Sequence, residues 1–180
     1  MSRILLGVTG SIAAYKAAEL ARMFVKAGHE VKTVMTPAAT KFVTPLTFMT
    51  LTRNPVGVDE FALPAEWKPG HISLAEWAEI AVIAPASANT LAKMRYGLAD
   101  NYLTSVLLAT KAPILVAPAM NTGMWDNPIT QENLKILGER GVVIVDPGVG
   151  ELACGTCGKG RMPEPETVFE SVEKLLKGEQ

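Results

Sequence analysis

Hydrophobic residues along this chain follow two alternating patterns, and the first is a set of short continuous runs. Apolar runs stand at residues 3–8, 31–35, 80–84, 113–116 and 142–145. Runs of this length are typical of strands that are buried on both faces of a parallel sheet. A weaker run at residues 56–59 predicts a further short strand.

The second pattern, between the strands, is the recurrence of apolar residues at helical spacing. After the first strand, Ala14, Ala18, Ala21 and Val25 fall on one helical face, and Gly28 stands where a helix would end. Further helices are predicted at residues 40–52, 74–79, 88–96, 100–110, 130–139 and 166–177. This alternation predicts a single three-layer, Rossmann-like (flavodoxin-like) α/β domain over residues 1–180, with a mainly parallel sheet.

The amino-acid composition limits the classes of protein to which this chain can belong. Hydrophobic residues make up 48% of the 180 positions and charged residues 19%, so the chain can bury a sizeable core. A formal net charge of −1 without a basic run gives no electrostatic reason to expect nucleic acid. The apolar runs are too short for a membrane-spanning helix or a signal peptide, so we expect a cytoplasmic protein. A mean hydropathy of +0.21 is high for a small monomer and indicates apolar subunit contacts.

The turn after the first strand, Thr9-Gly10-Ser11, leads directly into a helix. Backbone N–H groups and the helix dipole would both favour an anion there, although a plain turn uses the same residues. Dinucleotide-binding folds place an acidic residue at the end of the second strand and carry G-x-G-x-x-G in this turn. Here Thr36 follows the second strand and the glycine pattern is absent. The sequence therefore favours a mononucleotide held through its phosphate over NAD or ATP.

Residues 117–125, Ala-Pro-Ala-Met-Asn-Thr-Gly-Met-Trp, follow the strand at 113–116. Open α/β sheets bind their ligands at the carboxyl ends of strands, and an apolar, sulfur-rich wall such as this one suits a ligand. Asn121, the amide in that wall, can donate two N–H groups to a carboxylate without adding charge. The alternative is a core loop in which Asn121 makes an Asx-turn.

The strand at residues 80–84 ends in Pro-Ala-Ser-Ala-Asn-Thr at residues 85–90. Small side chains, two hydroxyls and an amide would let a planar ring approach the backbone closely. The same residue types also start helices, with Ser87 or Asn89 as the N-cap.

The chain has two histidines, and they stand in different settings. His29 follows a predicted helix end, and we expect it to be a solvated surface residue. His71 lies in a polar loop that enters a helix, where its charge could be tuned near neutral pH. A surface position without function is the alternative for His71.

Residues 146–165 are rich in glycine and show no regular period, which predicts a long functional or mobile loop acting as a lid. Cys154 and Cys157 form a C-x-x-C pair within it. A tetrahedral zinc site needs more ligands than this chain offers, so we expect no metal. A reactive cysteine on the lid is the better interpretation.

Together these segments resemble the flavin-containing cysteine decarboxylases, over nearly the whole chain. The resemblance rests on the following motifs: Gly7-x-Thr-Gly-Ser-Ile-Ala-Ala-Tyr-Lys16, His71, Pro85-Ala-Ser-Ala-Asn-Thr90, Pro118-Ala-Met-Asn-Thr-Gly-Met-Trp125, Ala153-Cys-Gly155 and Gly160-Arg-Met162. It implies that FMN is bound, with its phosphate at Gly10, Ser11 and Thr36. The residues implied around the flavin ring are Ser87, Ala88, Asn89, Thr90 and Ala119.

The resemblance also implies a reaction, the oxidative decarboxylation of 4'-phospho-N-pantothenoyl-cysteine to 4'-phosphopantetheine in coenzyme A biosynthesis. The substrate's cysteine part would lose a hydride to oxidised FMN, lose CO₂ as a thioaldehyde, and regain hydride and proton as an enethiol. His71 would act as base, Asn121 and Met120 would bind the substrate, and Cys154 would supply the last proton. Relatives that decarboxylate peptide C-terminal cysteines release the enethiol and do not need this cysteine.

Family members bind FMN between the subunits of a trimer, and bacterial enzymes assemble trimers into dodecamers. We therefore expect a homo-oligomer. Many bacterial homologues carry a phosphopantothenoylcysteine synthetase domain, which is a further candidate partner. Two alternatives remain open, a decarboxylase of peptide C-terminal cysteine and a regulatory, non-catalytic FMN-binding relative.

Overall fold

The computed structural model describes residues 1–62, 69–151, 155 and 157–178. In these residues a six-stranded sheet forms in which every neighbouring pair is parallel. Its strands are β1 (Arg3–Val8), β2 (Glu30–Met35), β3 (Val56–Gly57), β4 (Ile80–Ala86), β5 (Ile114–Pro118) and β6 (Val143–Ile144). The spatial order is β3-β2-β1-β4-β5-β6, so the chain winds outward from β1 in one direction and then from β4 in the other.

Helices connect the strands and cover the sheet. They are α1 (Ala14–Lys26), α2 (Pro45–Thr52), α3 (Gly70–Trp77), α4 (Ala88–Tyr96), α5 (Tyr102–Ala109), α6 (Thr122–Trp125), α7 (Pro128–Glu139) and α8 (Pro165–Leu176). The predicted helix at 40–52 is a 3-10 turn, Ala39–Lys41, followed by α2, because Pro45 begins a new helix at its first position. Among the described residues no helix combines the length and hydropathy that a membrane span needs.

The two faces of the sheet carry separate parts of the core. Successive residues of a strand point to opposite faces. In β1, Ile4 and Leu6 pack in a cluster with Phe24 of α1 and Val168 of α8, whereas Leu5 packs in a second cluster with helices on the other face. All seven residues of β4 are buried, as expected for a central strand covered on both faces. The predicted three-layer α/β fold is confirmed.

The segment at 146–165 is more regular than the sequence suggests. Gly148–Glu151 forms β7 and Cys157–Arg161 forms β8, and the two pair as an antiparallel ribbon. Glycines that read as loop residues allow β8 to lie close to α6. A Cβ on Gly158 would stand 2.5 Å from Thr122 Oγ1, and one on Gly160 would overlap the carbonyl oxygen of Met120. The expectation of an irregular loop is wrong for these residues.

The expectation that His29 is solvated is also wrong. Its side chain is 8% exposed, and its ring packs edge-on against Phe24. The backbone N–H of Ser2 donates to Nδ1 over 3.2 Å, so the proton lies on Nε2, which contacts Glu173 Oε1 at 2.7 Å. His29 therefore ties the N-terminal segment to α8, through partners that are remote in sequence.

Candidate functional site

A cavity of about 690 Å³ opens at the carboxyl edge of the sheet. It lies where the strand order reverses, between β1 and β4, which is where open α/β sheets bind ligands. Four segments line it: the β1–α1 turn with the start of α1, the β4–α4 turn, the loop after β5 with α6, and the β7–β8 ribbon with the residue that follows it. The lining residues are Gly10, Ser11, Ile12, Ala13, Tyr15, Lys16, Ser87, Ala88, Ala119, Met120, Asn121, Met124, Glu151, Gly160, Arg161 and Met162.

The β1–α1 turn brings backbone N–H groups to the cavity. Gly10 is required by space, because a Cβ there would stand 2.6 Å from Cβ of Ala38. Ser11 Oγ accepts a hydrogen bond from the N–H of Ala13 over 3.2 Å, which shapes the turn before α1 begins at Ala14. The positive end of a 13-residue helix thus faces the cavity, which is a suitable place for a phosphate.

Thr9 joins this turn to the turn after β4. Its side chain is fully buried, donates to the carbonyl oxygen of Pro85 over 2.7 Å and accepts from the N–H of Ser87 over 2.9 Å. The hydroxyl therefore fixes the spacing of two loops that line the cavity. The sequence analysis missed this role, since the two loops are 76 positions apart.

The residues predicted at the β4–α4 turn divide between two roles. Ser87 and Ala88 line the cavity. Ser87 is also the N-cap of α4, because its Oγ accepts from the N–H of Thr90 over 3.3 Å, as the alternative interpretation proposed. Asn89 is exposed and Thr90 is buried, and among the described residues neither lines the cavity.

Thr36 follows β2 and is buried. Its Oγ1 accepts from the N–H of Ala39 over 3.3 Å, and its own N–H donates to the carbonyl oxygen of Val8. It supports the neighbouring loop and is not one of the described residues that line the cavity.

The loop after β5 carries Ala119, Met120 and Asn121 into the cavity wall. Two backbone hydrogen bonds hold it: the N–H of Ala119 donates to Ala86, and the N–H of Met120 donates to Gly160, over 3.0 and 2.9 Å. Asn121 caps α6, since its Oδ1 accepts from the N–H of Gly123 over 2.8 Å. The Asx-turn interpretation is therefore confirmed, and it involves the oxygen of an amide that also faces the cavity.

Two cations in the cavity wall stood in the sequence motifs, but the sequence analysis gave them no role. Lys16 has a side chain only 7% exposed, and its Nζ contacts Glu164 Oε2 at 2.8 Å and the carbonyl oxygen of Met162 at 3.4 Å. Arg161 contacts the other oxygen of the same carboxylate at 2.8 Å. Lysine is almost never fully buried unless paired. Lys16 lies about half a turn away from the predicted apolar face of Ala14, Ala18, Ala21 and Val25, so no local pattern pointed to its burial. The hydrogen bond from Lys16 and the positive charges lower the pKa of Glu164.

Among the described residues that line this cavity, His71 is absent. His71 is the second residue of α3 and half-buried, in the first turn of a helix that begins four residues earlier than predicted. Cys154 lies outside the described residues, and Cys157 in β8 is exposed. Within the described residues no three histidine, cysteine or acidic side chains form a set of ligands for a metal ion.

The fold and the cavity define a doubly wound α/β protein with a nucleotide-type site at its switch point. The profile of the family described as Flavoprotein matches residues 1–177, and the chain belongs to that family.

Comparisons with individual relatives and a solved structure show which members of the family this chain resembles. The coenzyme A biosynthesis bifunctional protein CoaBC of Haemophilus influenzae is 47% identical over 177 residues, which are 98% of this chain and 44% of that protein. The chain thus spans less than half the length of such bifunctional relatives. A probable phosphopantothenoylcysteine decarboxylase of Streptococcus mutans is 44% identical over 97% of this chain and 98% of its own length. A solved PPC decarboxylase, a cysteine-to-serine mutant complexed with pantothenoylaminoethenethiol, superposes with a TM-score of 0.88, 37% identity and 98% coverage of both chains.

Proposed function

We propose that this chain is an FMN-dependent decarboxylase that converts 4'-phospho-N-pantothenoyl-cysteine to 4'-phosphopantetheine. The observation that carries the proposal is the joint lining of one cavity by the β1–α1 turn and by Met120 and Asn121. The first suits a cofactor phosphate and the second suits a substrate carboxylate. A relative of matching length, named as a probable phosphopantothenoylcysteine decarboxylase, supports the same assignment.

The cavity fits a flavin mononucleotide in size and chemistry. Its volume lies in the range of cofactor sites, and most of its wall is apolar, as a flavin ring requires. The turn at Gly10 and Ser11 would hold the phosphate, and Ser87, Ala88 and Ala119 would line the ring. Thr36, which follows β2, is neutral and stands where dinucleotide-binding folds place a carboxylate that binds the ribose. Bound FMN supplies a hydride acceptor that can later return the hydride.

The chain's own residues would orient the substrate and handle its protons. Asn121 would direct its amide N–H groups at the substrate carboxylate, while its oxygen holds the start of α6. Met120 would contact the apolar part of the substrate. His71 would act as the base, and Cys154 would protonate the product carbon.

Assembly would bring His71 to the site. The rim of the cavity exposes Ile12, Tyr15 and Met124, which are apolar enough to be covered by another subunit. We propose a homotrimer with FMN at the contact between copies, so that His71 of one copy faces the cavity of the next. Trimers could assemble further into dodecamers, and a synthetase domain is a candidate partner.

The experiment uses FMN-loaded protein and measures CO₂ release and product mass with phosphopantothenoylcysteine. The parent should release CO₂, and His71→Asn should abolish release while the protein stays folded and yellow. His29→Asn is the matched control, because that histidine has structural partners and lies away from the cavity; it should lower stability and leave chemistry intact. A parent that binds FMN but turns over no substrate would reject the proposed reaction.

Mixed oligomers test the placement of the site between copies. Asn121→Asp and His71→Asn should each be inactive alone. Co-expressed, they should regain part of the parent activity, because some contacts then pair an intact Asn121 with an intact His71. If folded mixed oligomers stay inactive, the two residues do not come from different copies.

A further inference from the structure

The start of α3, where His71 lies, rests against the phenol of Tyr102. Tyr102 is the first residue of α5 and half-buried. One edge of its ring lies on Gly57 of β3, where a Cβ would stand 2.6 Å from Cε1. Its hydroxyl end lies on Gly70, where a Cβ would overlap the phenol oxygen. The ring therefore fits between β3 and α3 only because both neighbours are glycines.

In the part of the chain that the structure describes, no side chain caps the first turn of α3, and Pro69, which precedes it, offers no polar side chain. Further along, Thr110 Oγ1 at the end of α5 donates to the carbonyl oxygen of Ala75 over 3.0 Å. Helix α5 thus supports α3 at two points, with Tyr102 at the first turn and Thr110 at the last turn.

Tyr102 itself is held firmly. Asn101 and Thr104 form a reciprocal capping box at the start of α5, with both hydrogen bonds at 3.2 Å. Burial, with a smaller effect of the negative charge of Glu60, raises the pKa of Tyr102, so the phenol stays neutral. Because its phenol is neutral and its helix is capped, we expect Tyr102 to act on α3 through the shape of its ring.

We propose that Tyr102 is a positioning residue for His71: its aromatic ring, seated between Gly57 and Gly70, sets where α3 begins and hence where the imidazole points. The catalytic part of this inference rests on the proposed function, in which His71 is the base.

The test is a double-mutant cycle with Gly70→Ala, Tyr102→Phe and the pair. Gly70 is helical, and alanine is the better helix former, so Gly70→Ala alone would favour α3 if the phenol were elsewhere. With the phenol present, the methyl group must displace the first turn. Tyr102→Phe removes the overlapping oxygen and leaves the ring carbon Cζ, which is 3.3 Å from the added Cβ.

We expect Gly70→Ala to lower kcat by about tenfold or more, because small misplacements of a catalytic group are costly, and to leave KM and flavin content unchanged. Tyr102→Phe keeps the ring and should behave like the parent, whereas Tyr102→Ala removes the ring and should lower kcat and move the His71 resonances. The double variant of Gly70→Ala and Tyr102→Phe should recover most of the kcat lost in Gly70→Ala. Gly138→Ala is the matched control, a helical glycine in α7 whose added Cβ stands 3.7 Å from Ile144. It should leave kcat unchanged.

The ring-proton NMR resonances of His71 provide a readout independent of turnover. They should move in Gly70→Ala, return toward the parent position in the double variant, and stay in place in Gly138→Ala. Unchanged resonances and kcat in Gly70→Ala would overturn the inference, and so would a double variant as impaired as Gly70→Ala. If the resonances follow the cycle but His71→Asn remains active, positioning by Tyr102 holds and the proposed role of His71 fails.

Discussion

Gly160 offers the sharpest test of how the β7–β8 ribbon supports the cavity. Its φ is +134°, a conformation that side chains with a Cβ rarely adopt, and an added Cβ would overlap the carbonyl oxygen of Met120. Its own carbonyl accepts the N–H of Met120 over 2.9 Å. The change Gly160→Ala therefore strains the backbone and pushes the ribbon away from the loop that carries Met120 and Asn121.

Backbone strain and the lost hydrogen bond each lower the free energy of unfolding, and a control variant with the strain alone separates the two. A Cβ at positive φ costs about 1–2 kcal/mol, and a lost backbone hydrogen bond costs about 1 kcal/mol more. Gly160→Ala should therefore lose roughly 2–3 kcal/mol of unfolding free energy. Gly141→Ala is the control, because Gly141 has a φ of +87° but no atom within 4 Å of an added Cβ. It should lose only the strain, about 1–2 kcal/mol.

The prediction is tested by urea unfolding of both variants and by their rates of CO₂ release. A shift of about 1 Å in catalytic groups can lower a rate about 100-fold, so Gly160→Ala should lose most activity under conditions where it is folded. Gly141→Ala should keep the parent rate. If the two variants lose equal stability and both keep the parent rate, the contact between Gly160 and Met120 supports nothing in the site, and the reasoning is refuted.

Three further predictions concern the charges and thiols of the site. Asn121→Asp should abolish turnover in folded, yellow protein, since two carboxylates in a desolvated pocket repel, and normal CO₂ release would disprove contact with the substrate carboxylate. The lowered pKa of Glu164 stabilises the fold above the ordinary glutamate pKa, and this stability is lost as pH falls through the lowered pKa. Glu164→Gln should thus lower the free energy of unfolding by about 1–2 kcal/mol at pH 7, less than the loss of a fully buried pair, because Glu164 is 52% exposed. In urea unfolding at a series of pH values, the stability of the variant should fall less steeply at acid pH than that of the parent. An identical fall in both proteins would contradict this. Cys154→Ser should release a product two hydrogens lighter than phosphopantetheine, whereas Cys157→Ser should make phosphopantetheine; equal failure of both would mean that the thiols act as a pair.

The sheet could be predicted because its information is local. Runs such as residues 80–84 are apolar throughout, and a strand covered on both faces needs little else. The turns that line the cavity could be predicted for the same reason, since Gly10 lies two residues after β1 and Ser87 directly follows β4. The ends of the strands were predicted to within two residues: β4 and β5 each continue two residues past the apolar runs at 80–84 and 113–116.

The rest depends on contacts that no local pattern shows. His29 is buried because Ser2 and Glu173 meet it, and Lys16 is buried because Glu164 reaches it from 148 positions away. The ribbon was missed because its glycines serve close contacts with Met120 and Thr122, and a glycine-rich segment without its partner reads as a loop.

The order of the strands indicates how far His71 lies from Asn121 within one copy of the chain. Through Tyr102, the start of α3 is seated against Gly57 of β3, whereas Asn121 follows β5. In the order β3-β2-β1-β4-β5 these strands are four positions apart, and at about 4.8 Å a strand the separation is roughly 19 Å. The ring of Tyr102 lies between Gly57 and α3, so this figure is the distance between the two strands, and it indicates that His71 and Asn121 of one copy are too far apart to act on the same substrate atom. The proposed chemistry therefore requires the contact between copies, and activity should disappear under conditions that separate folded, FMN-loaded subunits. Full activity of an isolated monomer would contradict both the assembly and the role of His71.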